Sequence, residues 1–334
     1  MKPLENLRVV DATSGPVGGL ATMVLADFGA EVVKIESRSG DAAREEPHSR
    51  VWLRGKRSVV CDDSELFELI ARTADAVVTD RALDIGRLRR DRPDLVCGAI
   101  VPFDGLPLDE GLVAARLGRM MSFRGVVDRE GPVYSVVRVA THAIAQAMAA
   151  GIVAGLYARQ RTGRGCDFET TLAHGLLPYE MGGLFVPQLQ QRGLDLPPLG
   201  GDPYTLMPTI NYHPVQCADG RWLQLGNLLP HLLERFLACV GLDDVLAAHG
   251  NQPASWPDDV REAFRDRLLA HMQTRTAAQW MESFLADGGI VAHPYQTTQQ
   301  ALDDPDLVMN GHVVTTALGR QPGLVARLFS RGGE

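Results

Sequence analysis

The chain has few of the features that mark metal-binding, secreted, membrane-bound or nucleic-acid-binding proteins. Its 334 residues include 5 cysteines and no C-x-x-C pair, which argues against a zinc site and a disulfide framework. Residues 1–5 contain no apolar signal core, and the apolar runs look too short or too interrupted to span a bilayer. The formal net charge of -8 disfavours a broad nucleic-acid surface. We therefore expect a cytoplasmic protein with no metal and no membrane or nucleic-acid partner.

The composition suits a globular protein with one large core or two moderate ones, since 45% of the residues are hydrophobic and 22% are charged. Apolar runs alternate with amphipathic stretches through the first two hundred residues, which is typical of an α/β fold. The patterns predict strands at 76–79 and 96–101, helices at 112–121 and 142–160, a linker at 197–214, a hairpin at 216–226, and helices at 257–273 and 277–286. The helix at 142–160 carries almost no charge and should be buried nearly all round.

The first sixty residues carry the clearest functional pattern. They predict a strand at 7–11, a tight turn at 14–19, a helix at 20–28 closed by Gly29, and a second strand at 31–36. This order is a βαβ unit, in which glycine lets the backbone approach a bound group and the helix N-terminus attracts anions. A phosphate-bearing ligand is therefore expected.

A nicotinamide or flavin site is the first alternative, because Glu36 lies about where an acid would bind a ribose hydroxyl. The glycine spacing disagrees, since Gly15, Gly18 and Gly19 give G-x-x-G-G and not G-x-G-x-x-G. The residues after Glu36 also turn basic. The basic residues of this stretch are Arg38, Arg44, Arg50, Arg54, Lys56 and Arg57. Local positive charge on an acidic chain indicates a small phosphorylated ligand.

Four parts of the chain resemble the family III CoA-transferases, which include formyl-CoA:oxalate and carnitine CoA-transferases and α-methylacyl-CoA racemases. Residues 25–36, followed by Gly40-Asp41, Arg44 and residues 55–58, resemble the opening of that family. The other similar segments are the R-x-x-T-G-x-G turn within 158–165, the "DG-aromatic" hairpin at 218–226, and residues 301–305 with Asn310-Gly311. The match runs in the right order over nearly the whole chain.

The resemblance implies the fold and the assembly. We expect an α/β protein with a large Rossmann-like CoA-binding domain built from both chain ends, residues 1–200 and 291–334. A smaller α+β domain should occupy residues 201–290. Two subunits of the family thread through one another, so the resemblance also implies an interlocked homodimer.

The resemblance further assigns residues to coenzyme A, which needs cations for its phosphates and an apolar or stacking surface for its adenine. Arg38 matches an arginine that lies against the nucleotide in the family. Lys56 and Arg57 match its "N-K-R-S" segment, and Asp80 and Arg81 fall where the family has an Asn-aromatic pair before a basic residue. Gly15 and Pro16 form the turn before the helix. The alternative for the cationic residues is a solvated surface or structural ion pairs.

The resemblance implies a catalytic aspartate, and the sequence has no carboxylate at the expected position. Transferases of this family attack the thioester with an Asp that should fall near Ala140 or Thr141, and no carboxylate is there. The nearest acids in sequence lie upstream, at Asp128 and Glu130. We expect His142 to act as a base or to be a satisfied polar residue, and Thr141 to cap the long helix or to take part in the chemistry.

Asp109 and Glu110 are weaker catalytic candidates, because the racemase histidine would fall near them. The family's glycine-rich loop finds its nearest counterpart in Gly200-Gly201, while Pro203-Tyr204 look more like the racemase-type and carnitine-type small domain.

Three functions stay open from the sequence. The first is CoA transfer between carboxylic acids, with coenzyme A and acyl-CoA as substrates and the nucleophile substituted or displaced. The second is α-proton chemistry of the racemase or lyase kind, which needs two opposed acid/base groups, such as His142 with Asp109 or Glu110. The third is a CoA-binding homologue that has lost the chemistry and works beside an active hetero-partner.

Overall fold

The computed structural model describes residues 2–61, 64–118, 120, 132, 137–180, 185, 188–195 and 209–329. The described residues form two compact units. The first unit contains the described residues within Met1–Phe123, Gly131–Leu194 and Pro305–Glu334. The second unit contains the described residues within Asp195–Asp304. The predicted boundaries at 200 and 290 stay a prediction.

The first unit is built on a six-stranded parallel sheet. Its strands are β1 (Arg8–Ala12), β2 (Glu31–Glu36), β3 (Lys56–Val60), β4 (Ala76–Thr79), β5 (Val96–Ile100) and β6 (Asp167–Thr170). They lie in the order β3-β2-β1-β4-β5-β6, so the direction of strand succession reverses between β1 and β4. In open parallel sheets ligands bind at the carboxyl ends of the strands beside such a reversal. The α/β class predicted from the sequence is confirmed.

Helices cover both faces of this sheet. They are α1 (Pro16–Asp27), α2 (Ser49–Trp52), α3 (Ser64–Thr73), α4 (Ile85–Asp91), α5 (Glu110–Arg116), α6 (Val139–Thr162) and α7 (Leu172–Leu176). Buried apolar side chains of α1 and α6 pack on one face against Val9, Val32 and Val78. Val10, Val77 and Cys97 point to the other face and form a second core with Ala71 and Leu88.

Helix α1 begins at Pro16, so the predicted start at residue 20 is wrong. Gly15 is the N-cap residue with φ 88°, a conformation that favours glycine, and Pro16 supplies the fixed φ that suits the first helical position. The predicted turn is therefore partly the first turn of the helix. Gly18 is required there, because a Cβ would lie 1.8 Å from the Thr13 hydroxyl oxygen.

The long helix α6 spans Val139–Thr162 and begins three residues before its predicted start. It ends at Thr162, two residues after the predicted end at 160, because Gly163 takes the left-handed conformation at φ 72°. By length and composition it could cross a membrane, although no apolar run was expected to be long enough. Buried core helices pass the same test, and half of its most apolar window is buried here.

Helix α5 differs from the predicted helix at 112–121. It spans Glu110–Arg116, because the Asp109 side chain accepts a hydrogen bond from Leu112 N at 2.8 Å and so caps an earlier start. Gly118 has φ 78°, which breaks the helical conformation soon after Arg116.

The second unit has its own sheet and core. The predicted hairpin is present as β7 (Pro214–Gln216) and β8 (Trp222–Leu225), and β9 (Ala292–Pro294) adds a third antiparallel strand. Its helices are α8 (Pro230–Val240), α9 (Asp244–His249), α10 (Asp258–Met272), α11 (Ala277–Asp287) and α12 (Thr298–Asp303). Phe236, Trp280 and Phe284 are nearly fully buried among them.

The C-terminal part of the first unit contains α13 (Pro305–Met309) and a hairpin of β10 (Val313–Thr316) and β11 (Gly319–Pro322). Arg54 fixes this segment to the α2 region by donating from Nη2 to Gly323 O at 3.0 Å. The first unit is thus assembled from both ends of the chain.

Candidate functional site

The carboxyl ends of the six parallel strands define the candidate site. Helix α1 begins at this edge, since it follows β1. Helix α6 precedes β6, which pairs in parallel with β5, so α6 must also begin at this edge and run back across the sheet. The two helices pack side by side. Both N-termini therefore present their positive dipole ends and their first N–H groups to one edge of the sheet.

The turn after β1 is tied to its two neighbouring loops by aspartates. Ser14 N donates to Asp80 Oδ2 at 2.6 Å, and Gly15 N donates to Asp41 Oδ1 at 3.0 Å. The structure therefore brings Gly15, Pro16 and Asp80 together at the reversal of strand order. Burial raises the pKa of Asp80 above its ordinary value, although the Ser14 N–H works in the opposite direction.

Two lysines and two aspartates form a buried ion cluster beneath this turn, and no local sequence pattern predicts it. Lys34 Nζ donates to Thr13 O at 2.8 Å and lies 2.9 Å from Asp41 Oδ2 and 3.7 Å from Asp11 Oδ1. Lys34 thus joins the loop after β1 to the loop after β2. The Gly40-Asp41 motif is a sequence signal for part of this cluster, because Asp41 supplies one of its two carboxylates.

Lys56 completes the cluster from β3. Its ammonium donates to Asp11 Oδ2 at 3.0 Å, Gly19 O at 2.8 Å and Thr22 Oγ1 at 2.6 Å. Burial lowers the pKa of Lys56 and would raise that of Asp11, but the nearby lysines and hydroxyl donors hold the Asp11 pKa well below its ordinary value. All three donors of Lys56 are used inside the protein, which leaves none for a phosphate in this conformation.

The other predicted CoA-contacting arginines separate into two groups. Arg38 lies in the loop after β2, Arg81 follows β4, and both are exposed at the carboxyl edge. Arg57 lies near the amino end of β3 and pairs with Glu31, the first residue of β2. The structure therefore does not bring Arg57 to the edge that carries Arg38 and Arg81.

Glu36 does not extend toward a ribose, because it is held by its neighbours. Its carboxylate accepts hydrogen bonds from the Arg44 guanidinium, from the Ser58 hydroxyl and from Asp41 N. The Arg44 hydrogen bond is the main reason that the pKa of Glu36 falls to about 2. This network fixes the loop that carries Arg38.

The N-terminus of α6 is capped by a carboxylate from another helix. Glu110 Oε1 accepts from Ala140 N at 3.0 Å, and its Oε2 accepts from Thr141 N at 2.8 Å. The prediction that Thr141 caps this helix is wrong, since Arg138 is the N-cap residue without a side-chain cap and Thr141 is buried in the first turn. The physical reason is that Glu110 already satisfies the first free N–H groups.

The remaining catalytic candidates are placed around this helix end. His142 is exposed in the first turn of α6, while Asp109 caps its own helix α5. Arg138 Nη1 lies 3.6 Å from Glu46 Oε1, which connects the α6 N-terminus to the region after β2. The structure therefore brings Glu110, Thr141 and His142 to the same edge as Gly15 and Pro16.

Several sequence candidates lie outside the described residues, namely Asp128, Glu130, Gly200-Gly201 and Pro203-Tyr204. Within the described ranges, no group of three His, Cys, Asp or Glu side chains could hold a metal ion.

Comparison with known proteins agrees with this architecture. The family model for CoA-transferase family III matches residues 4–331. The succinyl-CoA:mesaconate CoA-transferase of Haloarcula marismortui is 30% identical over 92% of this chain and 84% of its own length. A probable fatty acyl-CoA transferase of Mycobacterium tuberculosis is 31% identical over 99% of this chain and 92% of its own. The crystal structure of a CAIB/BAIF family protein from Brucella suis matches with a TM-score of 0.75 at 23% identity, covering 98% of this chain and 93% of the other.

Proposed function

The chain belongs to CoA-transferase family III and handles acyl-CoA thioesters, and we propose that it transfers CoA from an acyl-CoA to a free carboxylic acid. Both curated relatives described above are named as transferases, which supports this reaction over others. We extend the proposal to the assembly, an interlocked homodimer, and to a cytoplasmic location.

The convergence of two helix N-termini and three loops at one sheet edge is the observation that carries the proposal. Asp41 and Asp80 accept from the backbone at Gly15 and Ser14, so the turn before α1 is held in place before any ligand arrives. Such a turn, with exposed Arg38 and Arg81 beside it, suits the phosphates of coenzyme A. The acyl thioester would then extend along the edge toward the α6 N-terminus.

The test is an activity assay on the purified full-length chain. It is incubated with succinyl-CoA and a panel of unactivated mono- and dicarboxylic acids, and the thioester products are identified by mass spectrometry. The proposal expects a new acyl-CoA and free succinate in equal amounts. Hydrolysis alone, or no product with any acid, would contradict transfer.

A second candidate is α-proton chemistry, and the exposed His142, one residue after the Thr141 N–H that donates to Glu110, favours it. This reaction would exchange the α-hydrogen of the acyl group with solvent deuterium and leave the thioester intact. If the chain binds coenzyme A and shows neither transfer nor exchange, the CoA-binding homologue with a hetero-partner becomes the better description.

A further inference from the structure

Glu110 differs from two other acids of the carboxyl edge, Asp41 and Glu36, in what it binds. Asp41 and Glu36 are paired with Lys34 and Arg44 respectively. By contrast, within the described part of the chain Glu110 accepts its hydrogen bonds from two N–H groups of α6. Its negative charge is therefore balanced by a helix N-terminus and by no lysine or arginine among these contacts.

Glu110 also lies at the edge along which the acyl thioester is proposed to extend. Its side chain is half-buried, not enclosed. It contacts the first turn of α6 at Ala140 and Thr141, and the neighbouring N-cap residue Arg138 reaches Glu46 after β2. The carboxylate thus stands on the edge that also carries the Gly15 turn.

We propose that Glu110 is the nucleophile of the CoA-transfer reaction and carries the CoA between the two acids. This inference rests on the transferase function proposed above. The carboxylate comes from a different helix than Thr141, but its two oxygens lie at the backbone of residues 140 and 141. The helix end is thus supplied with a carboxylate that its own sequence lacks.

The reaction balances in four steps. A Glu110 oxygen bonds to the acyl carbon of the donor, its C–S bond breaks, and CoA leaves as the thiolate. The thiolate adds to the Glu110 Cδ atom, and the donor acid leaves as a carboxylate, which gives a Glu110–CoA thioester. The acceptor carboxylate then adds to Cδ and expels the thiolate, forming a second anhydride. The thiolate finally attacks the acceptor acyl carbon, which releases the new acyl-CoA and restores the Glu110 carboxylate, with no net proton or electron transfer.

The two N–H groups give the middle steps a specific advantage. Both of those steps attack Cδ of Glu110 and place negative charge on an oxygen bonded to it. Ala140 N and Thr141 N already donate to the Glu110 oxygens at 3.0 and 2.8 Å. They would act as a preorganised oxyanion site, supported by the dipole of a 24-residue helix. A purely structural cap would make the same hydrogen bonds without ever becoming acylated.

Covalent trapping separates these two roles without relying on a variant. The wild-type chain is mixed with succinyl-CoA in the absence of an acceptor and quenched with hydroxylamine, which converts an activated side-chain acyl group to a hydroxamate. Peptide mass spectrometry should find the hydroxamate on Glu110. A hydroxamate on a different residue would overturn the inference and leave the transferase function intact.

Matched variants complete the test. Glu110→Gln retains one acceptor oxygen for the helix but cannot form the anhydride, so turnover should fall by about 10³-fold or more while CoA binding and the melting temperature change little. Glu282→Gln makes the same change at an exposed position of α11 in the other unit and should keep turnover within about threefold. If the wild-type chain transfers CoA and the Glu110→Gln variant is nearly as active, the assignment of Glu110 as the nucleophile is refuted. The transferase function would then stand. No transfer and no trapped residue in the wild-type chain would overturn both proposals.

Discussion

Replacing Lys56 with methionine tests whether this residue stabilises the fold beneath the turn. The side chain is 1% exposed and its ammonium lies within 3.0 Å of Asp11, Gly19 O and Thr22. Methionine has a similar length, so the change removes the charge and three hydrogen bonds with little loss of packing. Asp11 would keep Lys34 at 3.7 Å as its cationic neighbour. Breaking a buried ion pair from one side costs about 3–5 kcal/mol of unfolding free energy.

Arg57→Met is the matched control, because Arg57 is the next residue of the same strand and loses the same charge. Its side chain is 72% exposed and pairs with Glu31 at the surface, so the expected cost is about 1 kcal/mol or less. Urea unfolding followed by circular dichroism measures both variants against wild type. Equal midpoints for the two variants would refute the argument. A loss of CoA affinity in Lys56→Met at full stability would instead favour the direct contact predicted from the sequence.

Three further changes have defined outcomes. Glu36 has a folded pKa of about 2 against 4.5 in the unfolded chain, and its main partner Arg44 is 45% exposed, so solvent screening reduces its stabilisation to about 1–2 kcal/mol. This stabilisation is present above pH 4.5 and is lost as the pH falls toward 2. Acid unfolding of Glu36→Gln should lack this pH-dependent step. Gly165→Ala would place a Cβ 1.9 Å from Leu95 O and should cost about 2–3 kcal/mol in urea unfolding, and an unchanged midpoint would contradict the packing argument. Arg38→Glu should weaken CoA binding by about 10–100-fold in calorimetry, whereas Arg57→Glu should not; equal affinities would exclude Arg38 from the site.

The local order of the first sixty residues was predictable because each element is marked by its own sequence. The strand Glu31–Glu36 has its predicted bounds, and β1 lies one residue from its prediction. The long helix ends at Gly163, within a few residues of the predicted end at 160, since a left-handed residue after a helix is a local requirement. These features depend on neighbours within a few residues, and a single sequence contains that information.

The features that the sequence did not predict depend on contacts or choices that a local pattern does not determine. The start of α1 depends on how the Gly15-Pro16 pair is used, and the same residues suit a turn and a helix start equally well. Strand β9 pairs with β8 from about seventy residues further along the chain, which no local pattern reveals. The buried position of Lys56 needs three acceptors from β1 and α1. Such contacts exist only after the sheet has formed.

The end of helix α6 shows why a missing catalytic residue is a weak argument for missing chemistry. The resemblance to the family predicts an Asp near Ala140 or Thr141, and residues 138–142 contain no carboxylate. A helix N-terminus, however, attracts a carboxylate from any element that reaches it, because its N–H groups and dipole are properties of the backbone. Glu110 reaches this end from 31 residues upstream of Thr141. A carboxylate therefore lies at this helix end although residues 138–142 contain none, and the trapping experiment asks whether it carries the proposed chemistry.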